Sequence, residues 1–330
     1  MKKLVDNYKR HINYLRVSIT DRCNLRCTYC MPFEGVVPLT HEDVLSYEEI
    51  LRIAKIAVKE GITKIRITGG EPLVRKGIVN LVSWLSRLEG IEDLSMTTNG
   101  ILLSEFAGQL YEAGLKRVNV SMDSLNPELF KDITRGGELS RVWQGIEKAS
   151  EVGLNPIKIN IVAVKGLNED EILDFARLTL EHNYQIRFIE FMPVGPENGW
   201  HQDKYLSCMV IRGIIAKRYK IEPVAEKIPT GGPASLYRLE GAKGAVGFIN
   251  AISSHFCSSC NRLRLTADGK IRRCLFSDEE IDMKVALRRG DSDGELTALL
   301  HSAIFNKPIG HTITEPAFRK CAREMIKIGG

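Results

Sequence analysis

Six of the eight cysteines in this 330-residue chain fall into two tight triplets, Cys23-x3-Cys27-x2-Cys30 and Cys257-x2-Cys260-x13-Cys274. The N-terminal run MKKLVDNYKRH is basic but lacks the apolar stretch of a secretory leader. A cytoplasmic protein with reduced thiols is therefore expected, in which clustered cysteines mean metal rather than disulfides. Iron–sulfur cubanes are normally held by four thiolates, so a triplet leaves one iron open to a further ligand. Two triplets predict two open 4Fe–4S clusters. Other readings of a CxxC remain: a zinc hairpin, a redox dithiol, or, for the second triplet, a structural zinc site with His255 as fourth ligand. The CxxxCxxC spacing is more specific, because it departs from the paired CxxC units of zinc ribbons. Cys208 and Cys321 stand apart and read as ordinary buried thiols.

Length allows one large core and a smaller second unit. No apolar run reaches ~18 residues, so no membrane partner is expected. The net charge is +5, without the basic stripe of a nucleic-acid binder. Many basic residues instead sit singly inside apolar strands, which points to an anion held within the protein.

Short β-rich runs alternate with amphipathic ones up to about residue 192. The spacing predicts strands over 14–19, 63–68, 93–98, 117–122, 157–164 and 186–192, with helices over 46–60, 76–89, 104–113, 141–152 and 168–182. Ser46 and Glu49 form a capping box, and Gly61, Gly114 and Gly153 read as helix stops. Six strand–helix repeats predict a parallel sheet too short to close as an eight-stranded barrel. The expected fold is a partial, open, six-stranded α/β barrel over 1–195, with a smaller α+β unit over 196–330 closing its open side. In that second unit, helices are expected over 207–219 and 278–288, with short strands over 235–239, 245–250, 262–267 and 270–274.

Strands of a parallel sheet are usually almost continuously apolar. These alternate instead: Arg16 and Ser18, Lys64 and Arg66, Thr97 and Asn99, Asn119 and Ser121, Lys158 and Asn160 interleave with apolar residues. The apolar set must face the helices, so the polar set points inward. A barrel lined in this way holds a polar, anionic ligand.

The run CNLRCTYC, with an aromatic residue (Tyr29) before its third cysteine, resembles the radical S-adenosylmethionine superfamily. Gly69-Gly70-Glu71-Pro72 resembles the element of that superfamily that contacts the methionine amino group. The resemblance narrows with CxxC-x13-C around CNRLRLT, the run KIRITGGEP and a terminal IGG. Together these are similar to the GTP 3′,8-cyclase family of molybdenum-cofactor biosynthesis over essentially the whole chain. That resemblance implies a 5′-deoxyadenosyl radical, removal of the ribose 3′ hydrogen of GTP, and closure of C3′ onto C8. Cys23, Cys27 and Cys30 would hold the S-adenosylmethionine cluster, and Cys257, Cys260 and Cys274 the substrate cluster. Tyr29, Gly70, Ser121 and Met192 match contacts to S-adenosylmethionine.

Arg16, Arg66, Thr97, Lys158, Arg262, Leu263 and Arg264 match contacts to GTP, with Lys64 and Arg187 adding positive charge near the triphosphate. No GxxxxGK[ST] loop is present, so side-chain cations must grip the phosphates. Gly329 and Gly330 match a tail that enters the active site, where it and Arg16 would serve the radical step. A helix over 318–325 is expected to anchor that tail. Asn250-Ala251-Ile252 departs from the family's Ser-Pro segment but touches no matched ligand. Implied partners are GTP, an electron donor, the next enzyme of the pathway (cyclic pyranopterin monophosphate synthase) and a second copy of the chain; neither the donor nor the oligomeric state follows from the residues. Two rivals stand beside this reading: a peptide-modifying enzyme of the same superfamily with auxiliary clusters, and a zinc-stabilised RNA-binding protein.

Overall fold

Ser46 begins the first helix as its spacing requires. Its side chain accepts from the Glu49 amide at 3.1 Å, and its own amide donates to the Glu49 carboxylate at 2.7 Å. At the other end Gly61, at φ 122°, turns the chain out of the helix and donates to two carbonyls of the last turn. The computed structural model describes residues 4–196, 198–224, 232–313 and 318–329. Within them the first half alternates β1 (Tyr14–Ser18), α1 (Tyr47–Glu60), β2 (Lys64–Thr68), α2 (Ile78–Ser86), β3 (Asp93–Thr98), α3 (Leu103–Glu112) and β4 (Arg117–Ser121). It continues with α4 (Pro127–Thr134), α5 (Leu139–Glu151), β5 (Lys158–Ala163), α6 (Ile172–Glu181) and β6 (Gln185–Glu190). Helix α4 is an addition to the expected set. Asn126 caps it by accepting from the Glu128 and Leu129 amides, with Pro127 at its first position.

The remainder contributes α7 (Cys208–Ala216), β7 (Ile221–Pro223), β8 (Ser235–Leu239), β9 (Ala245–Ile249), β10 (Arg262–Leu265), β11 (Lys270–Arg272) and β12 (Glu280–Asp282). It ends with α8 (Met283–Arg289), α9 (Asp293–Phe305) and the single turn α10 (Met325–Ile328). The helix expected over 278–288 thus starts as a strand and turns helical only at Met283. Asp282 caps that helix, and β12 is held by pairing with β11. The expected helix over 318–325 is absent. Its residues are committed elsewhere: the Ala322 amide to Asp278, and the Arg323 guanidinium to Asp268 and Glu280. Helical geometry begins only after Glu324.

Among the described residues the strands join in one sheet of order β12-β11-β10-β1-β2-β3-β4-β5-β6-β9-β8-β7. Strands β1 to β6 are parallel. In addition β10 runs parallel to β1, and β9 parallel to β6. The C-terminal half therefore extends the barrel at both of its edges rather than building a separate sheet, and the sheet runs straight through the expected boundary at 195/196. Leu15, Val17, Ile65, Ile67, Met96, Val118, Val120 and Ile159 are fully buried in one core with the helices. Each such side chain contributes about 1.5–3 kcal/mol by leaving water. Cys208 and Cys321 are buried thiols.

Candidate active site

Register fixes what the barrel encloses. Arg264 stands beside Arg16, Arg16 beside Arg66, Arg66 beside Ser95, Thr97 beside Asn119, and Asn160 beside Arg187. Because neighbouring parallel strands share parity here, all of these side chains lie on the interior face. Arg16, Arg66, Thr97, Ser121, Arg187, Arg262 and Arg264 line one cavity. Tyr29, Gly70 and Met192 line it as well.

Both cysteine triplets face the same cavity. The first follows the C-terminal end of β1. The second brackets β10 and β11: Cys260 lies just before β10, and Cys274 just after the antiparallel β11. Since β10 runs parallel to β1, the two triplets close the barrel from opposite ends, with the inward cations between them. All six are free thiols.

Their chemistry is set by burial. It pushes Cys23 up to about 11, Cys30 up to about 12, and Cys27 well above the usual thiol range. Cys260 is different: burial raises it, but Arg262 and Lys307 overcome that effect and bring it down to about 7. These are donor sets for soft metal centres, and metal binding would release the protons that burial keeps on the first three. The sequence carries no signal for Lys307, which reaches the cavity from a loop and donates to the Arg273 carbonyl.

The inward cations crowd one another. Burial, then Arg187, Arg117 and Arg66, lower Lys158 to about 5. Burial also lowers Arg187 to about 9 and Arg264 to about 10. Arg117 is held by Asp93 through a buried ion pair. Thr97 Oγ1, both amide atoms of Asn119, Asn160 Oδ1 and Arg187 Nε are buried with no hydrogen-bond partner among the described residues. Buried polar groups normally find partners, so this wall is shaped for a polar ligand.

Three residues sit differently from expectation. Lys64 is half-buried and does not reach the cavity wall. Lys158 is buried beneath the wall and acts on it through charge. Leu263 belongs to the apolar core, because the parity that turns Arg262 and Arg264 inward turns it outward; only its backbone is on offer to a ligand. Gly70 is required for a contact within the chain itself. A Cβ there would meet the Arg22 carbonyl oxygen at 2.3 Å, and its amide donates to the Thr20 carbonyl at 2.7 Å. The glycine thus docks the loop bearing the first triplet against β2.

Two buried acids brace that loop. Glu71, pushed up to about 7 by burial, accepts from the Leu73 and Asn99 amides and the Thr98 hydroxyl. Asn99 in turn points its amide at Cys23 Sγ, 3.8 Å away. Asp123, pushed up to about 6 by burial, accepts from Tyr29 at 2.5 Å and from the Val162 amide. At the tail, the Gly329 carbonyl accepts from Arg264 at 2.9 Å and from Arg16 at 3.3 Å. Gly330 lies outside the described residues.

Residues 17–179 match the radical SAM superfamily, and residues 184–313 match the family described as Molybdenum Cofactor Synthesis C. The chain is similar to the GTP 3′,8-cyclase of Thermodesulfovibrio yellowstonii (53% identity, covering 98% of this chain and 99% of that one). It is comparably similar to those of Desulforamulus reducens (50%, covering 99% and 100%) and Alkaliphilus metalliredigens (49%, covering 98% and 99%). Among solved structures, Streptococcus suis SuiB bound to S-adenosylmethionine superposes with a TM-score of 0.61 at 17% identity, covering 83% of this chain and 64% of that one. SuiB bound to its precursor peptide SuiA gives 0.63 at 16%, covering 97% and 72%. At such identity the likeness shows the fold alone. The superfamily match implies a 4Fe–4S cluster and S-adenosylmethionine. With half of its residues identical to these relatives along the whole of both chains, the chain belongs to the GTP 3′,8-cyclase family of the radical SAM superfamily.

Proposed function

We propose that the cavity performs the GTP 3′,8-cyclase reaction of molybdenum cofactor biosynthesis with two open clusters, one at each end of the barrel. The observation that carries this reading is the placement of two cysteine triplets around one enclosed set of arginines. Cys23, Cys27 and Cys30 would hold the cluster that binds S-adenosylmethionine, and Cys257, Cys260 and Cys274 the cluster that meets GTP. When bound, the first cluster and S-adenosylmethionine supply the radical that takes the ribose 3′ hydrogen, after which C3′ joins C8 of the purine.

The chain's own residues supply placement. Tyr29, Gly70, Ser121 and Met192 would surround S-adenosylmethionine, with Asp123 fixing Tyr29. Arg16, Arg66, Thr97, Arg262 and Arg264 would hold GTP, together with the Leu263 backbone. Lys158 and Arg187 would add charge beneath the triphosphate. A fixed array of guanidinium groups suits phosphate oxygens by charge and by geometry, and favours a nucleotide over a peptide in this cavity. Gly329 would keep Arg16 and Arg264 aligned, and Gly330 would extend the tail. The division at 195/196 is then one of labour: the first segment binds S-adenosylmethionine, and the second brings the substrate's cluster. An electron donor, cyclic pyranopterin monophosphate synthase and a second copy of the chain complete the proposed partners.

Anaerobic incubation with S-adenosylmethionine, reductant and GTP, followed by mass spectrometry, tests the reading. The expected product is 3′,8-cyclo-7,8-dihydro-GTP, formed by protein carrying about eight iron atoms per chain. Iron near half that value with full activity would remove the second cluster from the proposal.

A further inference from the structure

We propose that His255, Cys257 and His311 form a site for a single divalent transition-metal ion of zinc type, filled when the second cluster is absent. One ligand atom from each of the three residues lies within 4.8 Å of the others. Neither Cys260 nor Cys274 belongs to that close group, so it differs from the triplet assigned to the cluster. It differs too from a zinc site built on all three cysteines with His255.

The group is built rather than incidental. Its members come from two distant segments that one guanidinium ties together. Arg10 donates to the Cys257 carbonyl at 2.8 Å, to Ile309 at 3.0 Å and to Pro308 at 2.7 Å, and is itself held by Asp6 at 2.6 Å. Gly310 brings the second segment alongside the site at ordinary van der Waals range: a Cβ there would lie 3.5 Å from Cys257 Cβ and 3.8 Å from both Cys257 Sγ and His255 Cε1. The two imidazole rings stand 4.7 Å apart at 66°, and Phe276 packs edge-on against His311 at 4.9 Å.

The hydrogen bonding of His311 suits a ligand. Its Nε2 lies 2.8 Å from the Ala251 carbonyl. A carbonyl can only accept, so Nε2 carries the proton and Nδ1 keeps its lone pair. Ligating histidines characteristically donate their second nitrogen to a carbonyl or carboxylate in this manner. The Ile313 amide approaches Nδ1 at 3.4 Å, a long contact that a metal ion would replace. Two imidazole nitrogens and one thiolate sulfur leave a fourth position open, a donor combination suited to zinc. Sharing Cys257 makes the ion and the cluster exclude each other; this exclusivity rests on the assignment of Cys257 to the cluster, whereas the ion site itself does not.

Cobalt(II) titration of the full-length, metal-free chain under anaerobic conditions tests the site, with zinc as competitor. Beyond any cobalt taken up by Cys23, Cys27 and Cys30, one tight equivalent is expected, showing thiolate-to-cobalt charge transfer and tetrahedral visible bands, and zinc should displace it. His255→Ala, an exposed position that leaves the core untouched, and His311→Gln should each weaken cobalt binding by at least the roughly 10–100-fold typical of losing an outer-shell partner. Cys260→Ser and Cys274→Ser should leave it in place. Tight cobalt that survives both histidine changes but is lost with Cys260 or Cys274 would overturn the site, as would the absence of any tight equivalent. Iron content and product formation in the reconstituted protein report separately on the cluster assignment.

Discussion

A primary amine at 2% exposure beside Arg66, Arg117 and Arg187 cannot keep its proton at neutral pH. Lys158 titrates at about 5 in the folded chain, against about 10.4 for an unfolded lysine. Between these values the unfolded state binds more protons, so stability rises with pH across the window. This residue's contribution is complete above the unfolded value and is lost as pH falls to about 5. Lys158→Met should flatten the melting temperature between about pH 6 and 9. A triphosphate bound where we propose would reverse the balance, because a nearby anion favours the ammonium form. GTP binding near neutral pH should therefore take up close to one proton at this site. Calorimetry in buffers of different ionisation heat reads that uptake, and the Lys158→Met variant subtracts the nucleotide's own titration. Equal uptake by parent and variant would clear Lys158 of the role. Arg66→Ala removes a charged donor worth about 1.5–3 kcal/mol, so GTP affinity should fall roughly 10–100-fold in equilibrium binding. The inward direction of both side chains was legible in the sequence through the parity of their strands, but not that Lys158 lies beneath the cavity wall while Arg66 lines it. Lys307 and His311 were not legible, because they come from loops, where no periodicity reports the direction of a side chain.

At the scale of elements, the six barrel strands and most of the helices between them could be read from alternation and helix stops. The tail could not. Local composition favours a helix over 318–325, but side-chain pairing to Asp268, Asp278 and Glu280 overrides it and shifts the helical turn to Met325–Ile328. The shift matters because it ends the turn on Gly329 at φ 76°, a left-handed cap that glycine adopts without strain. That conformation aims the Gly329 carbonyl between Arg16 and Arg264. A Cβ there would meet Thr68 Oγ1 at 2.6 Å and Ser18 Cβ at 2.8 Å, on the neighbouring strands β2 and β1. Gly329→Ala should therefore expel the tail while leaving the cavity intact. Iron content and GTP affinity should change far less than turnover, because the cysteines and the arginine side chains themselves are untouched. Product formation should collapse. Parent-level turnover by this variant would show that the tail is a passive end.

The whole molecule is governed by a feature that strand periodicity cannot report, namely which strands become neighbours. The six-stranded barrel has two open edges, and both are taken by strands from the C-terminal half: β10 on β1 and β9 on β6. Pairing with β10 also places Arg264 beside Arg16 and fixes Cys260 at the end of the barrel opposite Cys23. Core and chemistry thus depend on the same long-range contacts. Leu263, Leu265, Ile271, Val246 and Phe248, all essentially without exposure, would be lost with the C-terminal half. At about 1.5–3 kcal/mol each, they contribute on the order of 10 kcal/mol, as much as the net stability of a whole domain, about 5–15 kcal/mol. Their removal would also leave β1 and β6 as bare edges, the usual template for aggregation. A chain ended at residue 195 should therefore fail to give a soluble monomer, even with its first cysteine triplet complete and iron supplied. Size-exclusion chromatography with circular dichroism would show this. A monomeric fragment that melts cooperatively and holds about four iron atoms would prove the barrel self-sufficient, and would restrict the C-terminal strands to delivering the second triplet.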